Sequence, residues 1–168
     1  MIKPGDALPD VILHQYNAQE GVCAVGPAAF SLRERCAGRR VLIFGLPGAF
    51  TPTCSQRHVP GYVAAAQALF DAGIDEILCL SVNDAFVMQA WGEGMGTAEL
   101  VQMIADGNGL FTQACGLGQD LSGRGMGYRS LGYAMLVDDG VVRHLAIEAA
   151  GQFEVSDAQS LLAVIRAA

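Results

Sequence analysis

Residues 41–55 read VLIFGLPGAFTPTCS, and this stretch decides the fold. Its first part, Val41–Leu46, is an uninterrupted apolar run of strand length, which predicts a strand buried on both faces. Pro47–Thr53 predicts a tight turn. The helical spacing of apolar residues that follows continues to Ala72, with Gly73 as its stop. The stretch therefore predicts a buried strand that leads through a turn into a helix, as in α/β proteins.

Similar signals predict elements on both sides of this unit. Ser31-x-x-Glu34 is a capping box that suits a short helix over Phe30–Cys36, and Asp138-Asp139-Gly140 between two β-rich runs predicts a hairpin. The other predicted strands or extended segments are Val11–Gln15, Glu76–Val82, Val101–Ala105, Tyr133–Val137 and Val141–Ile147. A helix is predicted at Ala85–Trp91, ended by Gly92, Gly94 and Gly96, and a long loop at Gly116–Gly127. A last helix, capped by Ser156-x-x-Gln159, is predicted to end near Arg166. This alternation predicts an α/β protein of the thioredoxin-like fold, with a mixed central sheet flanked by helices.

Composition and charge narrow the class of protein. The chain has 168 residues, 52% of them apolar, and shows neither internal repeats nor a linker, so we expect a single domain over residues 1–168. Its net charge of −7 disfavours binding to nucleic acid or to anionic membrane surfaces. No apolar run reaches the ~20 residues of a membrane span, and the N-terminus resembles no secretory signal. We therefore expect a cytoplasmic protein.

The cysteine pattern excludes several kinds of site. The five cysteines are Cys23, Cys36, Cys54, Cys79 and Cys115. No Cys-x-x-Cys occurs, so neither a thioredoxin-type dithiol nor a zinc ribbon is available, and we expect free thiols. Lys3 is the only lysine in the chain, which excludes a phosphate-binding loop of the Walker type.

Cys54 is the candidate reactive residue. Thr51 has the chemistry of a helix N-cap and Pro52 suits the first helical position, which places Cys54 in the first helical turn. Free N–H groups and the positive end of the helix dipole favour an anion there, so we expect a thiolate with a lowered pKa. The Thr51 hydroxyl is close enough in sequence to donate to the sulfur or to a substrate oxygen. The other interpretation is that Cys54 is a small buried apolar residue.

Residues 47–55 resemble the peroxidatic loop of the peroxiredoxins, whose core pattern is Pro-x-x-x-Thr-x-x-Cys. The form Gly-Ala-Phe-Thr-Pro-Thr is similar to the type II (peroxiredoxin five-like) subfamily. Three further stretches agree with that subfamily, namely His58–Gly61, Ser81–Trp91, and Arg129-Ser130 followed by Tyr133–Gly140. The resemblance extends from Pro4 to the last helix.

The resemblance implies a thiol peroxidase that reduces hydrogen peroxide and organic hydroperoxides. Cys54 would attack the peroxide and become a sulfenic acid. Thr51 would orient peroxide and thiolate, Pro47 would shield the site from water, and the N–H groups of Gly48 and Cys54 would bind the oxygens. The resemblance implies no metal and no organic cofactor, and it implies a homodimer, since family members often pair.

One departure from the family pattern concerns the arginine expected immediately before the aromatic residue Tyr133. That position is Gly132. Arg129 corresponds to a different arginine of the family pattern, and either Arg129 or Arg124 could reach the pocket from the glycine-rich loop. Arg129 is therefore included among the candidate catalytic residues. The departure leaves a second function open, that of a peroxiredoxin-like redox sensor or binding protein with low turnover.

A second departure concerns the resolving cysteine, which some type II members carry near the start of the last helix. Gly151–Ser160 contains none. Cys79 lies in an apolar strand and is expected to be inert, whereas Cys115 is a possible partner beside the glycine-rich loop. We therefore expect a one-cysteine cycle in which glutathione with glutaredoxin, or thioredoxin, reduces Cys54. A disulfide oxidoreductase is disfavoured, because the second cysteine of a dithiol motif is missing.

Overall fold

Seven strands form one mixed sheet in the computed structural model, which describes residues 1–17 and 26–168. The seven strands are β1 (Ile12–Asn17), β2 (Gly26–Ser31), β3 (Arg40–Gly45), β4 (Glu76–Ser81), β5 (Gln102–Ala105), β8 (Tyr133–Asp138) and β9 (Val141–Ile147). Their order in the sheet is β2-β1-β5-β4-β3-β8-β9, in which β3, β4 and β5 are parallel and the other neighbours are antiparallel. A second, two-stranded sheet pairs β6 (Gly118–Asp120) with β7 (Tyr128–Ser130).

Helices cover both faces of the large sheet. They are α1 (Leu32–Cys36), α2 (Val59–Asp71), α3 (Ala85–Met95), α4 (Leu110–Cys115) and α5 (Ala158–Ala167). Alternate residues of β3 point to opposite faces, as a strand requires: Leu42 and Phe44 pack with α2, α3 and α5, while Val41 and Ile43 pack with α1 and α4. This arrangement confirms the predicted α/β architecture with a mixed central sheet flanked by helices.

Two local predictions are confirmed by their capping and turn geometry. The Ser31 hydroxyl accepts the N–H of Glu34 at 3.2 Å and caps α1. The β8–β9 hairpin turns at Asp139 and Gly140, whose φ angles of 49° and 72° are the left-handed values that this two-residue turn requires. The predicted strands at Val41–Leu46, Glu76–Val82 and Val101–Ala105 match β3, β4 and β5 to within one residue at each end.

The predicted end of α3 is wrong. The helix continues through Gly92 and Gly94 to Met95, and only Gly96, with a φ angle of 67°, ends it. Gly92 serves packing rather than termination: a Cβ atom there would lie 2.6 Å from Cγ of Met103, so only glycine lets the helix approach β5. The sequence pattern does not distinguish these two uses of glycine.

Several short elements escaped sequence analysis. Strand β2, helix α4, strand β6 within the predicted long loop and strand β7 directly after it carry too few periodic apolar residues to be recognised. The last helix is capped by Asp157, which accepts the N–H groups of Gln159 and Ser160, rather than by Ser156. Cys23 lies outside the described residues.

The described residues contain neither a membrane-spanning helix nor a cluster of metal ligands. Within 1–17 and 26–168, no helix combines the length and apolar character needed to cross a membrane. Nor do these residues contain a group of three or more His, Cys, Asp or Glu side chains that could hold a metal ion.

Candidate active site

The turn that follows β3 is fastened to the end of β4. The N–H of Ala49 donates to Asn83 Oδ1 at 3.0 Å, and the Ser81 hydroxyl donates to the same oxygen at 2.6 Å. The N–H of Leu46 donates to the carbonyl of Leu80 at 3.2 Å. Because the turn is held at both of these points, its backbone has a fixed orientation towards the helix that begins after it.

Cys54 opens a π-helical turn, Cys54–His58, that runs directly into α2. Its carbonyl accepts the N–H of Val59, five residues further along the chain, and such wide turns are frequent at functional sites. The Ser55 N–H donates to the Thr51 carbonyl at 3.0 Å, so the helical backbone starts just after Thr51, as predicted. The Thr51 hydroxyl does not cap the helix, because it donates to the Gly48 carbonyl at 2.7 Å.

Burial raises the pKa of the Cys54 thiol above its usual value. Hydrogen bonding from the Thr51 hydroxyl and from the N–H groups of Gly48 and of Cys54 itself lowers the pKa, but more weakly. The expected lowered pKa is therefore wrong. The helix position predicts the donors, but the sequence carries no measure of desolvation, and only 5% of Cys54 is exposed.

A pocket of about 750 Å³ opens over Cys54. Pro47, Thr51 and Cys54 line it, together with Arg57 and His58 from the π-helical turn. The segment after β9 also lines it, and the apolar side chains of the lining are Leu121, Met126, Leu131 and Phe153. The pocket thus offers both polar groups and apolar contacts.

Position 132 faces this pocket but provides no charge. Gly132 lines the pocket directly before Tyr133, so the site lacks a cation where the family resemblance implies one. A Cβ atom at Gly132 would lie 3.1 Å from Cγ of Glu148, which leaves little free space at this point.

The candidate arginines occupy different places. Among the described residues, Arg57 and Arg124 line the pocket, and the guanidinium of Arg57 packs 4.9 Å over the ring of Phe153. Arg129 does not line it. Its Nη1 atom lies 3.0 Å from where a Gly48 Cβ would be, and its Nε–H donates to the Met126 carbonyl at 2.8 Å. Arg129 therefore approaches the turn from outside the pocket, and its catalytic role stays a prediction.

The other described cysteines are free and fully buried. Burial raises the pKa of Cys36 to about 11 and that of Cys115 to about 12, and it raises the pKa of Cys79 well above its usual value. Cys79 belongs to the same core cluster as Cys54, whereas Cys115 lies in the cluster on the opposite face of the sheet. The predicted burial of Cys79 is confirmed.

Sequence analysis missed one polar cluster at the pocket. Glu148, Ser156 and His58 are buried and linked by hydrogen bonds. The only signal for Glu148 was a glutamate at the end of an apolar strand, which is too common a feature to indicate a site.

An α/β fold that holds one cysteine at the start of a helix, under a pocket and among hydrogen-bond donors, defines a thiol-dependent redox enzyme. The Redoxin family profile matches residues 3–162. Peroxiredoxin-2B of Arabidopsis thaliana is 42% identical over 161 residues, which cover 96% of each chain. The structure of reduced Prx3 from Vibrio vulnificus in complex with hydrogen peroxide is 45% identical and covers 98% of this chain and 99% of that one, with a TM-score of 0.91. A Burkholderia cenocepacia structure described as a thioredoxin reductase is 64% identical and covers 97% of both chains, with a TM-score of 0.92.

The chain belongs to the redoxin family and is a peroxiredoxin, a thiol peroxidase. The predicted membership of the type II (peroxiredoxin five-like) group and the predicted thioredoxin-like fold are both confirmed. The name given to the Burkholderia protein describes a disulfide oxidoreductase, and the sequence of this chain lacks the Cys-x-x-Cys motif that such chemistry uses.

Proposed function

We propose that the chain reduces hydrogen peroxide and organic hydroperoxides through a sulfenic acid on Cys54. The Cys54 thiolate attacks one peroxide oxygen and the O–O bond breaks. The second oxygen takes a proton and leaves as water or an alcohol, while the sulfur is oxidised by two electrons. The observation that carries this proposal is one sulfur in the lining of a pocket, surrounded by the Thr51 hydroxyl and the N–H groups of Gly48 and of Cys54 itself.

The roles of the surrounding groups follow from where charge develops. As the O–O bond breaks, negative charge grows on the departing oxygen, and fixed donors that face it lower the barrier. The Thr51 hydroxyl and the Gly48 and Cys54 N–H groups are such donors. Pro47 lines the pocket beside them and has no N–H of its own, so it excludes water without competing for the peroxide.

Both substrate classes fit the walls of the pocket. The related Vibrio vulnificus protein holds hydrogen peroxide in its reduced form, which supports this substrate for the present chain. Leu121, Met126 and Leu131 offer apolar contacts above Cys54 that suit the alkyl group of an organic hydroperoxide.

The positions of the other thiols support a one-cysteine cycle. Cys115 is fully buried on the opposite face of the sheet from Cys54, and Cys36 is fully buried on that same opposite face. Cys79 is fully buried within β4, so attack on the Cys54 sulfenic acid would require it to leave the strand. We therefore propose that an external thiol reduces Cys54, supplied either by glutathione with glutaredoxin or by thioredoxin.

Peptide mapping after one equivalent of hydrogen peroxide tests this cycle. We expect the sulfenic acid at Cys54, and after addition of glutathione a mixed disulfide at the same residue, because no described thiol can reach it. A stable intramolecular disulfide, for example Cys54–Cys115, would contradict the proposal. Peroxide consumption with the glutathione/glutaredoxin pair and then with thioredoxin identifies the reductant, since only the physiological pair should sustain repeated turnover.

The second candidate function is a redox sensor or binding protein with low turnover. The observation that favours it is Gly132, which leaves the pocket without a cation at that position. The two functions differ in rate: a peroxidase sustains many turnovers per Cys54, whereas a sensor is oxidised once and reduced slowly.

Arg124 is the pocket arginine that we propose as the source of positive charge. Changing Arg124→Gln should lower the rate of Cys54 oxidation about tenfold, because a cation in the pocket stabilises the negative charge that grows on the departing oxygen. Stopped-flow oxidation measures the effect. Arg129→Gln is the comparison, since that side chain lies outside the pocket. A wild-type rate in Arg124→Gln together with a loss in Arg129→Gln would assign the role to Arg129 instead.

We also propose a homodimer, supported by apolar side chains exposed beyond the carboxyl ends of the parallel strands. Phe50, Phe86 and Leu110 are 63%, 51% and 48% exposed, and they follow β3, β4 and β5 at the carboxyl ends of these parallel strands. Apolar groups concentrated on one surface indicate a protein contact. Sedimentation velocity tests the dimer. The cytoplasmic location stays a prediction.

A further inference from the structure

The carboxylate of Glu148 binds an entire segment of backbone. Glu148 follows β9 and is only 6% exposed. Its oxygens accept the N–H groups of Glu154 (2.9 Å), Val155 (2.8 Å) and Ser156 (2.7 Å), as well as the Ser156 hydroxyl (2.8 Å). Burial alone would raise the pKa of Glu148, but these hydrogen bonds together outweigh it and lower the pKa, so the side chain is ionised at neutral pH. Charge-assisted bonds of this kind are the stronger class. Segment 154–156 is therefore held by one side chain.

Ser156 connects this segment to the helix that carries Cys54. Its carbonyl accepts the Tyr62 hydroxyl at 2.8 Å and lies 3.2 Å from His58 Nε2, and its hydroxyl lies 3.4 Å from the same nitrogen. Burial lowers the pKa of His58 to about 4, so the ring is neutral and can donate Nε2–H to that carbonyl. His58 is the last residue of the π-helical turn that Cys54 begins.

The segment bound by Glu148 is also a wall of the pocket. Residues 148–154 line the same pocket as Cys54, and the centroid of the Phe153 ring lies 4.7 Å from that of the His58 ring. Movement of this segment would therefore change both the shape of the pocket and the support of the π-helical turn.

We propose that Glu148 is a positioning residue for the peroxidase reaction: it fixes the wall of the pocket through the N–H groups of residues 154–156 and supports the Cys54 turn through Ser156 and His58. The proposal rests on the proposed function of Cys54. Glu148 makes no contact with the reacting atoms and acts through the groups that it holds. Glu148 accepts all of these hydrogen bonds. A substitution that weakens its side chain as an acceptor should therefore release the wall, even if the size of the side chain is unchanged.

Glu148→Gln is the principal test, because it removes the negative charge that strengthens all of these hydrogen bonds, and its amide NH₂ group cannot accept the Glu154 N–H that Oε2 now receives. We expect the rate of Cys54 oxidation by hydrogen peroxide to fall about tenfold, since small misplacements of reacting groups are costly. We expect alkylation of Cys54 by iodoacetamide, measured at a pH where the thiol is ionised, to become faster, because a loosened wall exposes the sulfur. These opposite changes distinguish lost positioning from general destabilisation, and Glu148→Asp should restore part of the peroxide rate.

Glu154→Gln is the electrostatic control. It removes a negative charge from the same wall and keeps every backbone donor, so it should slightly increase the peroxide rate. Ser156→Ala provides a milder test if Glu148→Gln folds poorly, because it removes one hydroxyl. It should slow the peroxide reaction and speed up alkylation, each about threefold.

Two results would overturn the proposal. One is a Glu148→Gln variant that reacts with hydrogen peroxide and with iodoacetamide at the wild-type rates; if Glu148→Gln folds poorly, the same result in Ser156→Ala would count. The other is an equal decrease in both rates. Failure of the proposed function gives a different result, because the wild-type chain itself would then react slowly with peroxide.

Discussion

Replacing Cys54 with serine should abolish peroxide reduction, with a loss on the order of a thousandfold or more. A serine hydroxyl at this position is not ionised at neutral pH, and it cannot form the sulfenic acid that the cycle requires. Consumption of hydrogen peroxide and of an alkyl hydroperoxide, measured in the presence of a thiol reductant, gives both rates directly.

Cys115→Ala is the matched control for this loss. It removes a thiol of the same size from the opposite face of the sheet, where the side chain is fully buried. We expect this variant to consume peroxide at close to the wild-type rate. Substantial activity in Cys54→Ser, or an equal loss in Cys115→Ala, would show that the reactive sulfur has been misassigned.

Thr51→Val should slow the peroxide reaction about 10²–10³-fold, the usual cost of removing one donor from such a site. The Thr51 hydroxyl donates to the Gly48 carbonyl at 2.7 Å and also hydrogen-bonds to the Cys54 sulfur. A hydroxyl carries a single proton, so it can accept from the thiol or turn its proton towards the thiolate and peroxide. Valine has the same shape and can do neither. Stopped-flow oxidation of Cys54 measures the change.

Thr51→Ser separates the hydroxyl from the methyl group. Serine keeps the donor and should retain most of the rate, with a modest loss because its side chain has more rotational freedom. Equal slowing by Thr51→Ser and Thr51→Val would mean that the methyl packing matters and the hydroxyl does not.

The parts of the fold that sequence analysis predicted are those in which one local signal dominates. The apolar run at Val41–Leu46 has no alternative to a strand buried on both faces, and Asp139-Gly140 supplies the two left-handed residues that a tight hairpin needs. Gly92 was misinterpreted because the same residue type ends helices and permits close packing, and only the position of Met103 decides between the two.

The reactive cysteine could be predicted because its surroundings are local in sequence. Thr51, Gly48 and Cys54 lie within seven residues of one another, and the turn brings their donors together. Glu148 and Ser156 lie about a hundred residues further along the chain, and their contact with the Cys54 helix depends on how β9 and α5 pack. The pKa of Cys54 escaped prediction for the same reason, since its burial comes from distant segments.

The most direct test of the account is the second-order rate constant for oxidation of Cys54 by hydrogen peroxide at neutral pH. Trp91 is the only tryptophan, and its indole N–H donates to the Ser55 hydroxyl at 3.1 Å, so its fluorescence should report on the neighbouring sulfur. The account predicts a value within the range of about 10⁴–10⁸ M⁻¹s⁻¹ that enzymes reach, and no signal in Cys54→Ser. A rate no faster than that of free cysteine would contradict it.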